Sequence, residues 1–364
     1  MGKVYSALGL MSGTSGDGVD SSIIQSDGMD KFMIKFNEYH PYPSLISSEI
    51  HRIKEKIQSS SDLAKFTNEL EILEDKLTTF HSDIVKRWDK SLHLDLIGFH
   101  GQTILHNSEE KLSRQLGLGE KLSKLTKKIV IYNFRQNDLK NGGEGAPLAP
   151  IYHKLLVKAF KDKRKLTLPV IILNIGGIAN ITIINKNYKM SSMDIGPGNC
   201  LIDKWIRLNS DKKFDESGNI SRSGKIDKFI LNQALDSFYY NKISKKKSLD
   251  TNDFDLFFAR GLSLENGAAT ITEFTADILS KKILDFDVYV CGGGRKNKFL
   301  LESIQKKITG TLRIIDSLGI DGGYIESQAF GYLAIRSFLG LPISYPETTG
   351  CKKACTGGIL VKNF

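Results

Sequence analysis

Two stretches of this chain turn a pair of apolar strands back on glycine: GLMSGTSGDGVDSSII, Gly9 to Ile24, and LNIGGIANITII, Leu173 to Ile184. Each predicts an antiparallel hairpin. Glycine at a bend admits positive φ and lets main-chain amides approach a ligand with no Cβ in the way. Successive amides at such a turn form a concave anion site. In the first bend Thr14 and Ser15 add hydroxyl donors, whereas Asp17 and Asp20 would repel a phosphate directly. Their chemistry fits Mg²⁺ held through water, because magnesium takes a few carboxylates together with waters and phosphate oxygens. A third glycine site, Gly292 to Gly294, lies between a strand and a helix, where an adenosine can rest against bare backbone. Any one of these bends is by itself only a turn. Together and in this order they point to a nucleotide held between two domains. GxxxxGK[ST] is absent, which excludes a P-loop, and GGG is not the GxGxxG of dinucleotide binding.

The remaining pattern alternates strand with helix. KFMIKFNEYHPY reads as a further strand, and Ser44 to Leu92 is helical, with Leu63, Phe66, Leu70, Leu73 and Leu77 on one face. LDLIGFH is a short buried strand running into GQTILH. KIVIY leads through a polar, glycine-rich loop into a helix entered at Pro147 or Pro150. SSMDIGPGNCLIDKWIRL gives a strand end, a turn and an amphipathic helix, and residues 260–284 are helical. DVYVC precedes the triple glycine, RKNKFLLESIQKK follows it as a helix, and IESQAFGYLAIRSFL is a helix apolar on one face. No repeat period is visible. The class is α/β with antiparallel hairpins mixed in.

A chain of 364 residues with 40% hydrophobic content suits two domains. The net charge of +10 sits on scattered lysines and on short runs such as Lys161–Lys165 and Lys245–Lys247. Such runs read as solvated surface, since a nucleic-acid face interleaves them with aromatics and arginine. An anionic small molecule fits the charge, and no nucleic-acid or membrane partner is expected. The cysteines Cys200, Cys291, Cys351 and Cys355 form no CxxC pair and suit a reducing cytoplasm. No apolar run reaches the length of a membrane helix. Met1-Gly2 with Ser6 matches a myristoylation pattern, but the same residues make a good edge for a first strand.

GLMSGTSGDGVD, GFHGQTILH, NFRQNDLKNGGEGAPLAP, LNIGGIANIT, MDIGPGN, VCGGGRKNKFL and ESQAFGYLAIRSFLGLP together resemble the 1,6-anhydro-N-acetylmuramic acid kinases, within the actin, hexokinase and Hsp70-type ATPase superfamily. The resemblance runs over almost the whole chain. It implies a two-domain ATPase-type fold of mixed sheets flanked by helices, with ATP and sugar in the interdomain cleft. The expected domains are 1–145 plus 345–364, and 146–344. Implied for ATP are Gly13, Thr14, Ser15, Gly16, Asp17, Gly18, Val19 and Asp20, with Gly176, Gly177, Gly292, Gly293, Gly294 and Asn297. Implied for the sugar are His100, Gln102, Arg135, Asp138, Asn180 and Glu326. The implied base is Asp194, which takes a proton from the water that opens the 1,6 bridge while O6 receives the γ-phosphoryl group. The resemblance further implies Mg²⁺ carried with ATP, and a homodimer.

Bland readings stand beside these. Asp194 can cap the helix that starts near Asn199, Glu326 can favour a helix N-terminus, and His100 can be a satisfied core histidine. Several positions depart from the family pattern. Gly16 replaces a bulky apolar residue, which is expected to loosen the first turn. Phe99 stands for a small serine, Asn133 for an aspartate, Glu144 for a glutamine and Ile195 for a small residue. Three other functions compete: a levoglucosan-type anhydrosugar kinase, a nucleotide-dependent sensor without turnover, and a serine hydrolase. GTSGD misses the last glycine of the hydrolase elbow.

Overall fold

A computed structural model describes residues 2–89, 92–164, 166–240 and 249–364. The run Lys245–Lys247 lies outside the described residues, as does Lys165. The chain divides into two compact units, Met1–Ala159 with Tyr324–Phe364, and Phe160–Gly323. The dividing points lie at 159/160 and 323/324, 14 and 21 residues away from the 145/146 and 344/345 expected from sequence. Helix Ile325–Phe338 thus belongs to the first unit, against whose strands it packs.

The strands are β1 Tyr5–Ser12, β2 Gly18–Ser26, β3 Phe32–Pro41, β4 Leu96–Asn107, β5 Leu112–Leu116, β6 Ile129–Tyr132, β7 Val170–Ile175, β8 Ile178–Ile184, β9 Met190–Pro197, β10 Asp287–Cys291, β11 Leu312–Ile314 and β12 Ile359–Val361. In the first unit they are ordered β12-β6-β4-β1-β2-β3, with β5 paired to β4. In the second the order is β11-β10-β7-β8-β9. The two sheets share one plan. An antiparallel meander comes first (β1-β2-β3; β7-β8-β9), and parallel strands then join its first member (β4 and β6; β10 and β11). Both sheets therefore mix antiparallel and parallel pairs, and helices accompany each, as the α/β class requires.

Burial explains why β1 reads as a continuous apolar run. Leu8 and Leu10 join Ile50, Ile53, Leu73 and Leu77 of helices Ser44–Lys56 and Thr67–Asp89 in one core. The opposite face meets helix Ile325–Phe338 at very close range. A Cβ on Gly9 would overlap the Ser327 carbonyl oxygen, and one on Gly98 the Phe330 carbonyl oxygen. That helix is buried on nearly every side, from Ser327 through Arg336, not on one face as its pattern suggests. In the second unit, Ile171, Leu173 and Ile175 pack with Trp205, Ile271, Phe274, Ile278 and Ile304. Among the described residues, no helix is long and apolar enough to cross a membrane.

Candidate functional site

In the first unit, β1 and β2 pair up to Met11 and Asp20, leaving residues 13–17 as the bend. Gly16 donates its amide to Gly13 O at 3.2 Å. Gly16 has φ +68, and a Cβ there would lie 2.8 Å from Ile50 Cγ2. This turn is tight, so glycine at 16 is demanded by the backbone and does not loosen it. Thr14, Ser15 and Asp17 are exposed, while Val19 is fully buried at the start of β2. Gln102 Nε2 donates to Gly13 O at 3.0 Å, and Gln102 Oε1 accepts from Ser12 Oγ at 2.5 Å. Gln102 is fully buried, so its amide braces the bend from beneath. Lys54 Nζ donates to Thr14 O at 2.6 Å. Burial raises the Tyr39 hydroxyl pKa, and the Asp17 and Asp20 carboxylates add to that rise, so both acids act on one phenol. Among the described residues, no group of three or more His, Cys, Asp or Glu forms a metal cage. Two hard oxygen donors beside an amide-rich bend fit an ion that keeps most of its waters.

Arg135 is the centre of a second cluster in this unit. Its Nη1 donates to Gly145 O and its Nη2 to His100 Nε2, each at 3.0 Å. His100 Nδ1 lies 2.8 Å from Gly101 O, to which it donates as the neutral tautomer. Burial, helped by the Arg135 charge, holds the His100 pKa well below its ordinary value. His100 is thus both a core histidine and the acceptor that aims Arg135. Glu326 stands in the first turn of helix Ile325–Phe338 and keeps solvent-exposed surface although protein crowds around it. This crowding raises its carboxyl pKa, against the pull of Arg135. Asp138 is fully buried and fully engaged. Its oxygens accept Thr349 Oγ1 at 2.6 Å and the Gly145 amide at 2.7 Å, so it staples the 141–145 loop.

Beside His100 lies a cavity of about 100 Å³ lined also by Ser113, Gln115, Tyr132, Asn133 and Gln136. Gln136 Nε2 donates to Ser113 O at 2.7 Å, and Gln115 Oε1 is a buried oxygen with no hydrogen-bond partner. Of these, sequence reading singled out only Asn133, although Gln136 lies inside the same quoted motif. Asn133 has φ +59, a conformation asparagine tolerates well. Phe99 is buried and its ring packs onto Gly117.

In the second unit the glycine bends converge. Gly198 and Cys200 donate their amides to Gly177 O at 2.9 and 3.2 Å, and Asn199 donates to Gly176 O at 2.8 Å. The β7–β8 bend therefore meets the start of helix Cys200–Asn209 through its carbonyls. Gly292 has φ +80, and a Cβ on it would overlap Asn174 Oδ1; one on Gly294 would overlap Ile175. Gly293 lies beside Asn199. Asn297 is buried, and its Oδ1 accepts the Leu300 amide at 3.0 Å, capping helix Lys298–Gln305. Asn180 pairs with Asn174 on one side and Asp194 on the other, across β7, β8 and β9. Asp194 is half-buried within β9, and its Oδ2 accepts the Leu249 amide at 2.9 Å. The residue at the cap of the next helix is Asn199.

Asp203 escaped sequence reading. Its amide bonds to Asn199 O, one turn earlier, and burial pushes its carboxyl up to about 6. The Asn199-x3-Asp203 spacing, which puts both on one helix face, was the available signal.

Residues 5–363 match the family described as anhydro-N-acetylmuramic acid kinase. The chain is 48% identical to the protein of that name from Pelagibacter ubique and 36% identical to that from Agrobacterium fabrum, with 100% of both chains covered in each case. Among solved structures, the ADPNP-bound activator of 2-hydroxyisocaproyl-CoA dehydratase from Clostridium difficile aligns with 91% of this chain and 94% of its own. Its TM-score is 0.41 at 12% identity, too distant a likeness to argue from.

Proposed function

The chain belongs to the anhydro-N-acetylmuramic acid kinase family, and from that premise we propose that it is an ATP-dependent kinase of 1,6-anhydro-N-acetylmuramic acid. It opens the 1,6-anhydro bridge with water and phosphorylates O6, giving N-acetylmuramic acid 6-phosphate and ADP. One observation carries the mechanism: Asp194 is a half-buried carboxylate fixed on a strand by the Leu249 amide. It takes the proton of the water that attacks the anomeric carbon. The bond from that carbon to O6 breaks, and O6 takes up the γ-phosphoryl group. Alignment and charge neutralisation do the rest, since phosphoryl transfer asks for little covalent work from the protein.

Gly13 to Asp20 carry the phosphate tail in this reading, with Gln102 holding the bend in place. Arg135, aimed by His100, receives the lactyl carboxylate in charge-assisted hydrogen bonds, and Glu326 accepts from a sugar hydroxyl. Gly176, Gly177 and Gly292 to Gly294 serve the rest of the nucleotide. Asn297 and Asp138 act by holding a helix and a loop. Asn180 supports the strand face on which Asp194 stands. Mg²⁺, when bound, neutralises phosphate charge, and Asp17 and Asp20 are the residues that would hold it through water. A homodimer, a cytoplasmic setting and a place in cell-wall recycling complete the proposal.

The family match weighs against a sensor and a serine hydrolase, and Arg135 favours the muramic sugar over levoglucosan. Asp194→Asn is expected to keep ATP and sugar affinity while product formation falls to background. Normal turnover by this variant with ATP, Mg²⁺ and the anhydro sugar would remove the base assignment. ATP consumption with levoglucosan alone would redirect the substrate.

A further inference from the structure

Near the C-terminus, Cys351 and Cys355 lie under an exposed turn, Lys352 to Ala354. Both thiols donate to one acceptor, the Lys353 carbonyl oxygen, at 3.1 and 2.9 Å. Two sulfurs sharing an acceptor across a three-residue turn are placed to react together. Neither is in a disulfide.

The turn is tied to the loop that holds Arg135. Lys352 donates its amide to Asn141 O at 3.0 Å, and Glu144 donates to Thr349 O at 2.9 Å. Asn137 Nδ2 reaches Thr356 O at 2.6 Å. Thr349 Oγ1 holds Asp138, which in turn holds the Gly145 amide, and the Gly145 carbonyl accepts from Arg135. Hydrogen bonds and short stretches of backbone thus connect the cysteine turn to the guanidinium.

We propose that Cys351 and Cys355 form a redox modification site, in which a hydroperoxide converts the dithiol into an intrachain disulfide and the altered turn weakens the grip of Arg135 on the sugar. The effect on sugar binding rests on the kinase reading above; the modification itself does not. Burial, with the Cys351 sulfur adding to it, pushes the Cys355 thiol up to about 11. One of the two sulfurs attacks as its thiolate, breaks the peroxide O–O bond and becomes a sulfenic acid, with an alcohol or water leaving. The other sulfur then displaces the sulfenic oxygen as water, closing the S–S bond. The dithiol loses two electrons and two protons, and the peroxide is reduced by the same two electrons. Neither sulfur can then donate to Lys353 O, so the turn must repack.

The full-length protein, reduced and then treated with hydrogen peroxide, tests this. Trypsin cuts after Lys352 and Lys353, so peptides bearing Cys351 and Cys355 stay together only if a disulfide joins them. The expected result is a linked peptide pair, a several-fold higher KM for the anhydro sugar with a smaller change in kcat, and reversal by dithiothreitol. Cys351→Ser and Cys355→Ser should each keep the reduced activity and lose the response, while Cys200→Ser keeps it. Unlinked peptides after peroxide would overturn the site, and linked peptides with an unchanged KM would overturn its coupling to Arg135. If the reduced protein phosphorylates no anhydro sugar, the kinase reading fails while the peptide linkage still reports on the cysteines.

Discussion

Single residues in the first unit are constrained as much by backbone as by chemistry. Gly16 combines φ +68 with a side-chain direction blocked by Ile50. A left-handed conformation costs a residue with a Cβ about 1–2 kcal/mol before any clash is counted. Gly16→Leu should therefore destabilise the protein by about 2 kcal/mol or more, read as a lower urea midpoint at unchanged slope. An equal midpoint would mean that the turn relaxes freely. His100 shows the complementary case. Its type and its motif were legible, but its partners decide its role. With Nδ1 on Gly101 O, Nε2 accepts from Arg135, and the side chain orients a cation without carrying charge itself. Gln102 and Asp138 read as sugar contacts because they are polar and sit in family motifs. Their hydrogen bonds run instead to the bend and to the glycine loop, and nothing in a one-dimensional pattern distinguishes a polar group facing a ligand from one facing the main chain.

At the level of elements, the hairpins were the most readable part of the chain, because glycine flanked by apolar runs has few other uses. What the glycines within the strands touch was not readable. Gly9 and Gly98 let helix Ile325–Phe338 approach β1 and β4 to backbone contact. Gly9→Ala would push a methyl into the Ser327 carbonyl, and a loss of about 3 kcal/mol is expected, at the upper end of ordinary overpacking. Thermal melting checks this, and a shift of less than a degree would mean that the helix can slide away. The same helix shows why its sequence looked one-sided. Ser327 and Gln328 are polar but buried, bonded to Ser22 and to Asn37 and Tyr152. Polar letters on a buried face break the amphipathic stripe that periodicity detects.

Across the whole molecule, buried histidines lower the stability in acid, and His81, His100 and His153 are the most deeply buried of them. Burial lowers the His81 pKa to about 4 and the His153 pKa to about 3, and His100 is held well below its ordinary value by burial and Arg135. In the unfolded chain each takes up a proton near pH 6.5, while in the folded protein each stays neutral. The unfolded state thus binds more protons below 6.5, and stability falls as pH falls from there toward about 4. Each histidine contributes up to about 1.4 kcal/mol per pH unit. Asp203 works in the opposite sense. Its pKa is raised to about 6, so its contribution is lost as pH rises through 6 and recovered on acidification, offsetting one of the three. Urea unfolding at pH 7, 6 and 5 should show this decline. His81→Leu should make it shallower, and a flat profile in the parent protein would contradict the assignment.

The sequence by itself determined the α/β class, the hairpins, the helices between them and the identity of the glycine bends, because each is set by neighbours within a few positions of one another. Only the tertiary structure decided that both sheets repeat one strand order, since the two units share topology without a shared sequence period. It alone decided which polar residues face the main chain and which face outward, and that Cys351 and Cys355 meet over one carbonyl. Those outcomes depend on partners that lie far away along the chain, and on the direction each side chain takes once the sheets have formed.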